Sequence, residues 1–168
     1  GIEADLDRAY QARPMSGLRL YVDDTTTELQ ALIARAMDWH HRHQIEALLA
    51  EANEEAYAAQ QAAVWEEIAA YMELIITRRN RKTLSNGEEI EVPQAEAPAY
   101  FEWVLWRAFL AINSLANKPY EARRFKIDQD FLPVGTAPGN GPDLIFEFDD
   151  FVLVVEVTLT ANSRQEAA

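Results

Sequence analysis

The sequence predicts a mixed α/β fold: a helical N-terminal region, then a core of one helix, a short strand and an acidic β-hairpin. Three observations carry this. A stretch rich in Ala, Glu and Gln sets apolar residues at helical spacing between Thr25 and Ile76. Residues 100–115 are aromatic or apolar on nearly every side of a helix, the mark of a buried one. Near the C-terminus, two apolar runs at 143–148 and 151–160 flank Asp149-Asp150.

The elements follow in order. Residues 18–22 suit a short strand. Thr25 and Glu28 have capping-box spacing ahead of Leu29, Leu32, Ile33, Ala36 and Met37. A second helical pattern, one helix or two, runs from Ile45 to Ile76 and is expected to end near the cations at 78–82. Asn86-Gly87 predicts a turn inside a small hairpin at 82–92. Residues 93–98 are the candidate boundary, and Pro98 suits the first turn of the next helix. Residues 123–128 suit a strand, and 131–142, with three Pro and three Gly, a loop. Two regions result: a mostly helical linker or scaffold over 1–97 and a second region over 98–168. Arg164 to Ala168 read as the start of a helix, so the chain is expected to continue beyond residue 168.

Composition narrows the function classes. About half the residues are apolar (49%), enough for a core. No run approaches the ~18 apolar residues of a membrane span, so no membrane partner is expected. The absence of cysteine excludes disulfides and thiolate metal sites, and a cytoplasmic setting is expected. The net charge of −13 counts against a module that binds nucleic acid by a basic face. It counts less against a centre that needs carboxylates. The N-terminal part is the more acidic, with 18 Asp/Glu against nine Lys/Arg over 1–98.

A hairpin symmetric about Asp149-Asp150 sets Asp143 directly opposite Glu156, on one face with Thr158. Opposed carboxylates repel, and Glu156 lies in an apolar run where an unpaired charge is expensive to bury. A bound Mg²⁺ removes both penalties, because it takes one or two carboxylates together with water and phosphate. For a lone acid, neutralisation by an Arg is the better reading; for this pair the metal reading leads. The register is decisive, since a one-residue slip moves the acids to opposite faces. Glu147 shares the face but reads as a solvated charge near the turn.

Pro142-Asp143, a 13-residue step and Glu156-Val157-Thr158 resemble the PD-(D/E)xK nuclease motif. Together with Phe101-Glu102-Trp103 and the loop at 133–141, they make residues 98–168 similar to the AlwI family of type IIS restriction endonucleases. The resemblance implies a partial restriction-endonuclease-like core, the N-terminal part of a nuclease domain. It implies Mg²⁺-dependent hydrolysis of DNA phosphodiester bonds, with Mn²⁺ as a substitute, on double-stranded DNA. It implies that Glu102 joins Asp143, Glu156 and Thr158 in the active site. The motif's usual Lys is replaced by Thr158, which can orient a water but carries no charge. One centre per chain suggests transient homodimerisation for double-strand cleavage. The isolated chain, lacking the rest of the core, need not be active. The alternatives are a non-catalytic helical interaction module on a degenerate nuclease fold, with the missing Lys as its sign, and a nicking endonuclease with the same centre.

Arg123, Arg124 and Lys126, just ahead of the acidic strands, are candidates for DNA-backbone contact. Arg164 is a further source of positive charge. Arg78, Arg79, Arg81 and Lys82 suit phosphate contact or a helix end equally well. His40 and His43 share a helical face, but no third ligand is evident.

Overall fold

The computed structural model describes residues 24–159. The expected strand at 18–22, the helix start at 164–168 and Arg164 lie outside them. Packing divides the chain into two units, Gly1–Glu51 and Ala52–Ala168. Helix α1 (Asp24–Gln60) runs through that division and merges the two expected helical patterns into one element of 37 residues. It begins one residue before Thr25. In its first unit Ile33 is buried, whereas Leu29, Leu32, Trp39, Ile45, Leu48 and Leu49 are exposed. The spacing that predicts this helix therefore does not predict a continuous buried face.

A one-turn 3₁₀ segment, Gln61–Val64, separates α1 from α2 (Trp65–Thr77). Gln61 is buried and donates from Nε2 to the Tyr57 carbonyl at 2.8 Å. Helix α2 buries Ile68, Tyr71, Leu74 and Ile75. It stops at Arg78, whose φ of 56° is left-handed and whose N–H bonds back to the Ile75 carbonyl. Strands β1 (Arg81–Thr83) and β2 (Glu89–Glu91) form the expected hairpin with Lys82 opposite Ile90. Gly87, at φ 88°, supplies the turn conformation that a side chain disfavours.

The segment at 93–98 does not separate two cores. Ile90 and Val92 pack in the same cluster as Tyr71, Leu74, Trp103 and Trp106. The proline-flanked composition suggested a boundary, but the hairpin before it and the helix after it share one interior. A 3₁₀ turn, Gln94–Glu96, leads into α3 (Ala97–Ile112), which has Pro98 in its first turn. Helix α3 is the central element, with Trp103, Val104 and Trp106 essentially fully buried.

Arg107 is the polar centre of this core. Only 3% exposed, it donates from Nε to Gln61 Oε1 at 2.7 Å and from Nη2 to Glu67. Its guanidinium lies 4.7 Å from the Trp103 ring centroid and within 6 Å of those of Tyr57 and Tyr71. Burial pushes both tyrosine hydroxyls up to about 12, although Arg107 acts in the opposite direction.

The short helix α4 (Pro119–Ala122) has no counterpart in the expected elements. The expected strand at 123–128 shrinks to β3 (Lys126–Ile127), paired with β4 (Pro133–Val134) inside the expected loop. The turn between them is built on Asp128, whose carboxylate accepts the N–H groups of Asp130 and Leu132. Phe131 lies there at φ 62°, a left-handed conformation rare for an aromatic residue. Two contacts hold it: its ring stacks on Tyr57 at 4.4 Å, and its carbonyl accepts the Trp103 indole N–H at 2.7 Å.

Strands β5 (Leu144–Glu147) and β6 (Val152–Val155) form the C-terminal hairpin. Leu144 and Phe146 face the core, and Phe146 stacks on Phe109 of α3 at 4.1 Å. The other edge of β5 is also occupied. Arg123 bridges to Leu144, the Ala116 N–H bonds to the Glu147 carbonyl, and the Asn117 amide bonds to the Ile145 carbonyl and the Glu147 N–H. Strand β5 is therefore fixed from both sides.

Two stability outcomes follow from this architecture. Arg78→Gly removes the left-handed penalty and should stabilise the chain by up to about 1 kcal/mol. An unchanged or lower urea midpoint would contradict that account. Arg107→Met strands the Gln61 and Glu67 side chains and should destabilise by about 3 kcal/mol, read by the same titration.

Candidate metal centre

The hairpin register sets the candidate site. Leu144 pairs with Val155, Ile145 with Val154, Phe146 with Leu153 and Glu147 with Val152. The ladder ends there: Asp143 and Glu156 lie one residue beyond it, and the Asp143 N–H bonds to the Val155 carbonyl at 3.2 Å, one residue out of the ladder's register. Between Leu144–Glu147 and Val152–Val155 the register is the symmetric one expected about Asp149-Asp150. Period-2 alternation turns Leu144, Phe146, Leu153 and Val155 inward and leaves Val152, Val154 and Glu156 exposed.

Asp143 is half-buried, and its Oδ2 accepts the Val157 N–H at 2.7 Å. That bond fixes one carboxylate oxygen from the partner strand's continuation. Glu156 is exposed, as are Val152 and Val154 beside it. The burial penalty expected for Glu156 from its apolar run therefore does not arise: the neighbouring apolar side chains divide between two faces. Thr158 is exposed, two residues beyond Glu156.

Glu102 is 4% exposed on α3, and its Oε2 accepts the Ala137 N–H at 2.9 Å. Burial raises its pKa; the Ala137 bond opposes this, and the charge of Asp143 adds to it. Glu102 is thus electrostatically coupled to Asp143 while holding the loop that leads to it. Among the described residues, no three His, Asp or Glu side chains cluster tightly enough to hold a metal ion. The sequence singles out the two acids Asp143 and Glu156. Two carboxylates suit Mg²⁺, which retains several waters and takes further oxygens from a phosphate.

The nearby cations have separate assignments. Arg123 donates to both Glu54 oxygens, at 2.9 and 2.7 Å, and to the Phe125 carbonyl, so all three of its nitrogens are engaged within the protein. Arg124 bonds to the Pro142 carbonyl and to Asn140 Oδ1. Lys126 is exposed. At the end of α2, Arg79 and Lys82 pair with Glu73, and Arg81 lies within 4 Å of Glu89 and Glu91. His40 and His43 are exposed, with His43 against the Trp39 ring at 3.9 Å.

A sequence model of the AlwI restriction endonuclease family matches residues 21–168. The chain belongs to this family. The match covers α1 and α2 as well as the hairpin, so the helical region is part of the AlwI-type architecture. No curated protein matches the chain. Membership implies a DNA endonuclease with DNA as partner. Among the described residues no helix is long and apolar enough to cross a membrane.

The sequence reading did not find the residues that shape the approach to the acids: Ala137, Asn140 and Asn117. The only signal for Asn140 is its position between Gly139 and Gly141, where a short polar side chain can bond back to a neighbour. The raised pKa of Glu102 gives a direct check. The folded chain keeps that proton to higher pH than the unfolded chain, so ionisation removes stability as pH rises through the carboxylate range. Glu102→Gln retains an oxygen for Ala137 and cannot ionise. It should unfold at higher temperature than the parent at neutral pH, with the gain vanishing in acid. A gain that is independent of pH would refute the coupling.

Proposed function

We propose that this AlwI-family chain carries the catalytic acids of a Mg²⁺-dependent type IIS restriction endonuclease that hydrolyses phosphodiester bonds of double-stranded DNA. The observation that supports this reading is the hairpin, whose ladder ends at Leu144 opposite Val155, one residue short of Asp143 and Glu156, with Glu156 exposed. Asp143 and Glu156 would hold the ion, with Mn²⁺ able to replace it. When bound, the ion supplies Lewis-acid polarisation of the phosphodiester and a lowered pKa for water.

The chain's own groups do the positioning. The Val157 N–H orients Asp143 by fixing Oδ2, which leaves Oδ1 available. Glu156 contributes a carboxylate that can reach a charged ligand without a burial penalty. The Thr158 hydroxyl would orient the attacking water where the motif has a Lys. Glu102, tied to Ala137, would act on the centre through Asp143. Transient pairing of two chains would bring one centre to each DNA strand.

Asp143→Ala and Glu156→Ala should each leave DNA binding intact and lower cleavage by about 10³-fold or more, because the ion's charge stabilisation is worth several kcal/mol. Cleavage and Mn²⁺ titration on the full chain provide the check. Parental cleavage, or parental Mn²⁺ affinity, in either variant would refute the assignment.

A further inference from the structure

Asp143 is well held on one side only. Its own N–H bonds to the Val155 carbonyl at the end of β6, and its carboxylate accepts the Val157 N–H. On the other side it emerges from residues 135–142, which belong to no described strand or helix and contain Gly135, Gly139 and Gly141. Such a stretch has little intrinsic stiffness. A carboxylate displaced by 1 Å loses much of its value to a metal or a reaction.

We propose that Arg124 is the positioning residue that fixes this approach and thereby positions the Asp143 carboxylate relative to Glu156. The inference rests on the assignment of those two acids as the metal-holding pair. Three observations carry it. Arg124 Nη1 donates to the Pro142 carbonyl at 3.0 Å, the peptide group that joins Pro142 to Asp143. Arg124 Nη2 donates to Asn140 Oδ1 at 2.6 Å, so one planar fork spans the last turn of the loop. Between those anchors, a Cβ at Gly141 would fall 2.4 Å from Arg124 Nη1 and 3.1 Å from Cζ. The guanidinium therefore lies against the backbone at a position where only glycine leaves room for it.

The base of Arg124 is itself rigid. Arg123 before it bridges to Leu144 and pairs with Glu54, and Phe125 after it is fully buried against Trp106. The strut runs from an immobile stem to the residue preceding the acid. This differs from the phosphate contact that position and charge alone suggest. A phosphate contact would act on DNA affinity and its salt dependence. A strut acts on the metal-holding geometry.

The test uses the full chain and Mn²⁺ as the probe, followed by calorimetry, alongside metal-free DNA binding and thermal unfolding. Asp143→Ala should abolish Mn²⁺ binding at the pair. Arg124→Met should weaken it about 10-fold, as loss of a group orienting a metal ligand does, with metal-free DNA affinity unchanged. Arg124→Lys, which can keep one donor near Pro142, should recover part of the loss. Gly141→Ala retains the Arg but displaces its fork, so it should reproduce the Arg124→Met defect even if that variant folds poorly.

Parental Mn²⁺ affinity in both Arg124→Met and Gly141→Ala, while Asp143→Ala loses it, would overturn the strut and leave the acid pair standing. A defect confined to metal-free DNA affinity would overturn it in favour of a phosphate contact. Parental Mn²⁺ affinity in Asp143→Ala would overturn the acid pair, and the strut with it.

Discussion

A single guanidinium, that of Arg107, joins the helical part of the second unit. It is enclosed by Trp103, Tyr57 and Tyr71 and bonded to Gln61 and Glu67, so it touches α1, the 3₁₀ break, α2 and α3. A charge buried this deeply survives only when its donors are matched, and the break at Gln61–Val64 brings two of the acceptors to it. Everything towards the C-terminus is then referred to α3. Trp106 bonds the Pro119 carbonyl, Trp103 the Phe131 carbonyl, Phe109 carries Phe146, and Glu102 anchors Ala137. The position of the acidic hairpin is thus inherited from a helix whose own seating depends on a polar contact within an apolar core.

The hairpin was legible in the sequence because its information is local. A two-residue Asp turn between apolar runs leaves one register in which the inward residues are consistently apolar, and that register pairs Leu144 with Val155 and Glu147 with Val152. The exposure of Glu156 was not legible. A run such as Val-Leu-Val-Val-Glu-Val reads as buried on both faces, and only the packing on α3 shows that one face is open. The strand β4 was missed because a two-residue strand beginning with Pro, inside a Pro- and Gly-rich stretch, carries no alternation to read, although its partner Lys126–Ile127 lies close by in the chain. Arg123 and Arg124 looked alike in sequence and differ in structure, since their partners Glu54 and Asn140 lie 69 and 16 residues away. At 93–98 the residues on either side of the prolines contribute to one apolar cluster.

The overall negative charge is less of an obstacle to a DNA-cleaving role than its size suggests. The cations near the end of α2 are largely neutralised by Glu73, Glu89 and Glu91, so that region is not a basic footprint. The acids that define the candidate centre are a small part of the total and lie on an accessible face. Attraction for a phosphate there would arise once the pair carries a cation, which reverses the local sign.

Phe131 adds a consequence of a different kind. A bulky residue in the left-handed region carries a conformational penalty of about 1–3 kcal/mol, kept in place by the Tyr57 ring and the Trp103 indole. Both restraints belong to helices, whereas the turn they hold feeds β4 and the loop running to Asp143. A side-chain change on either helix therefore acts at a distance, releasing the turn and with it the backbone that leads to Asp143.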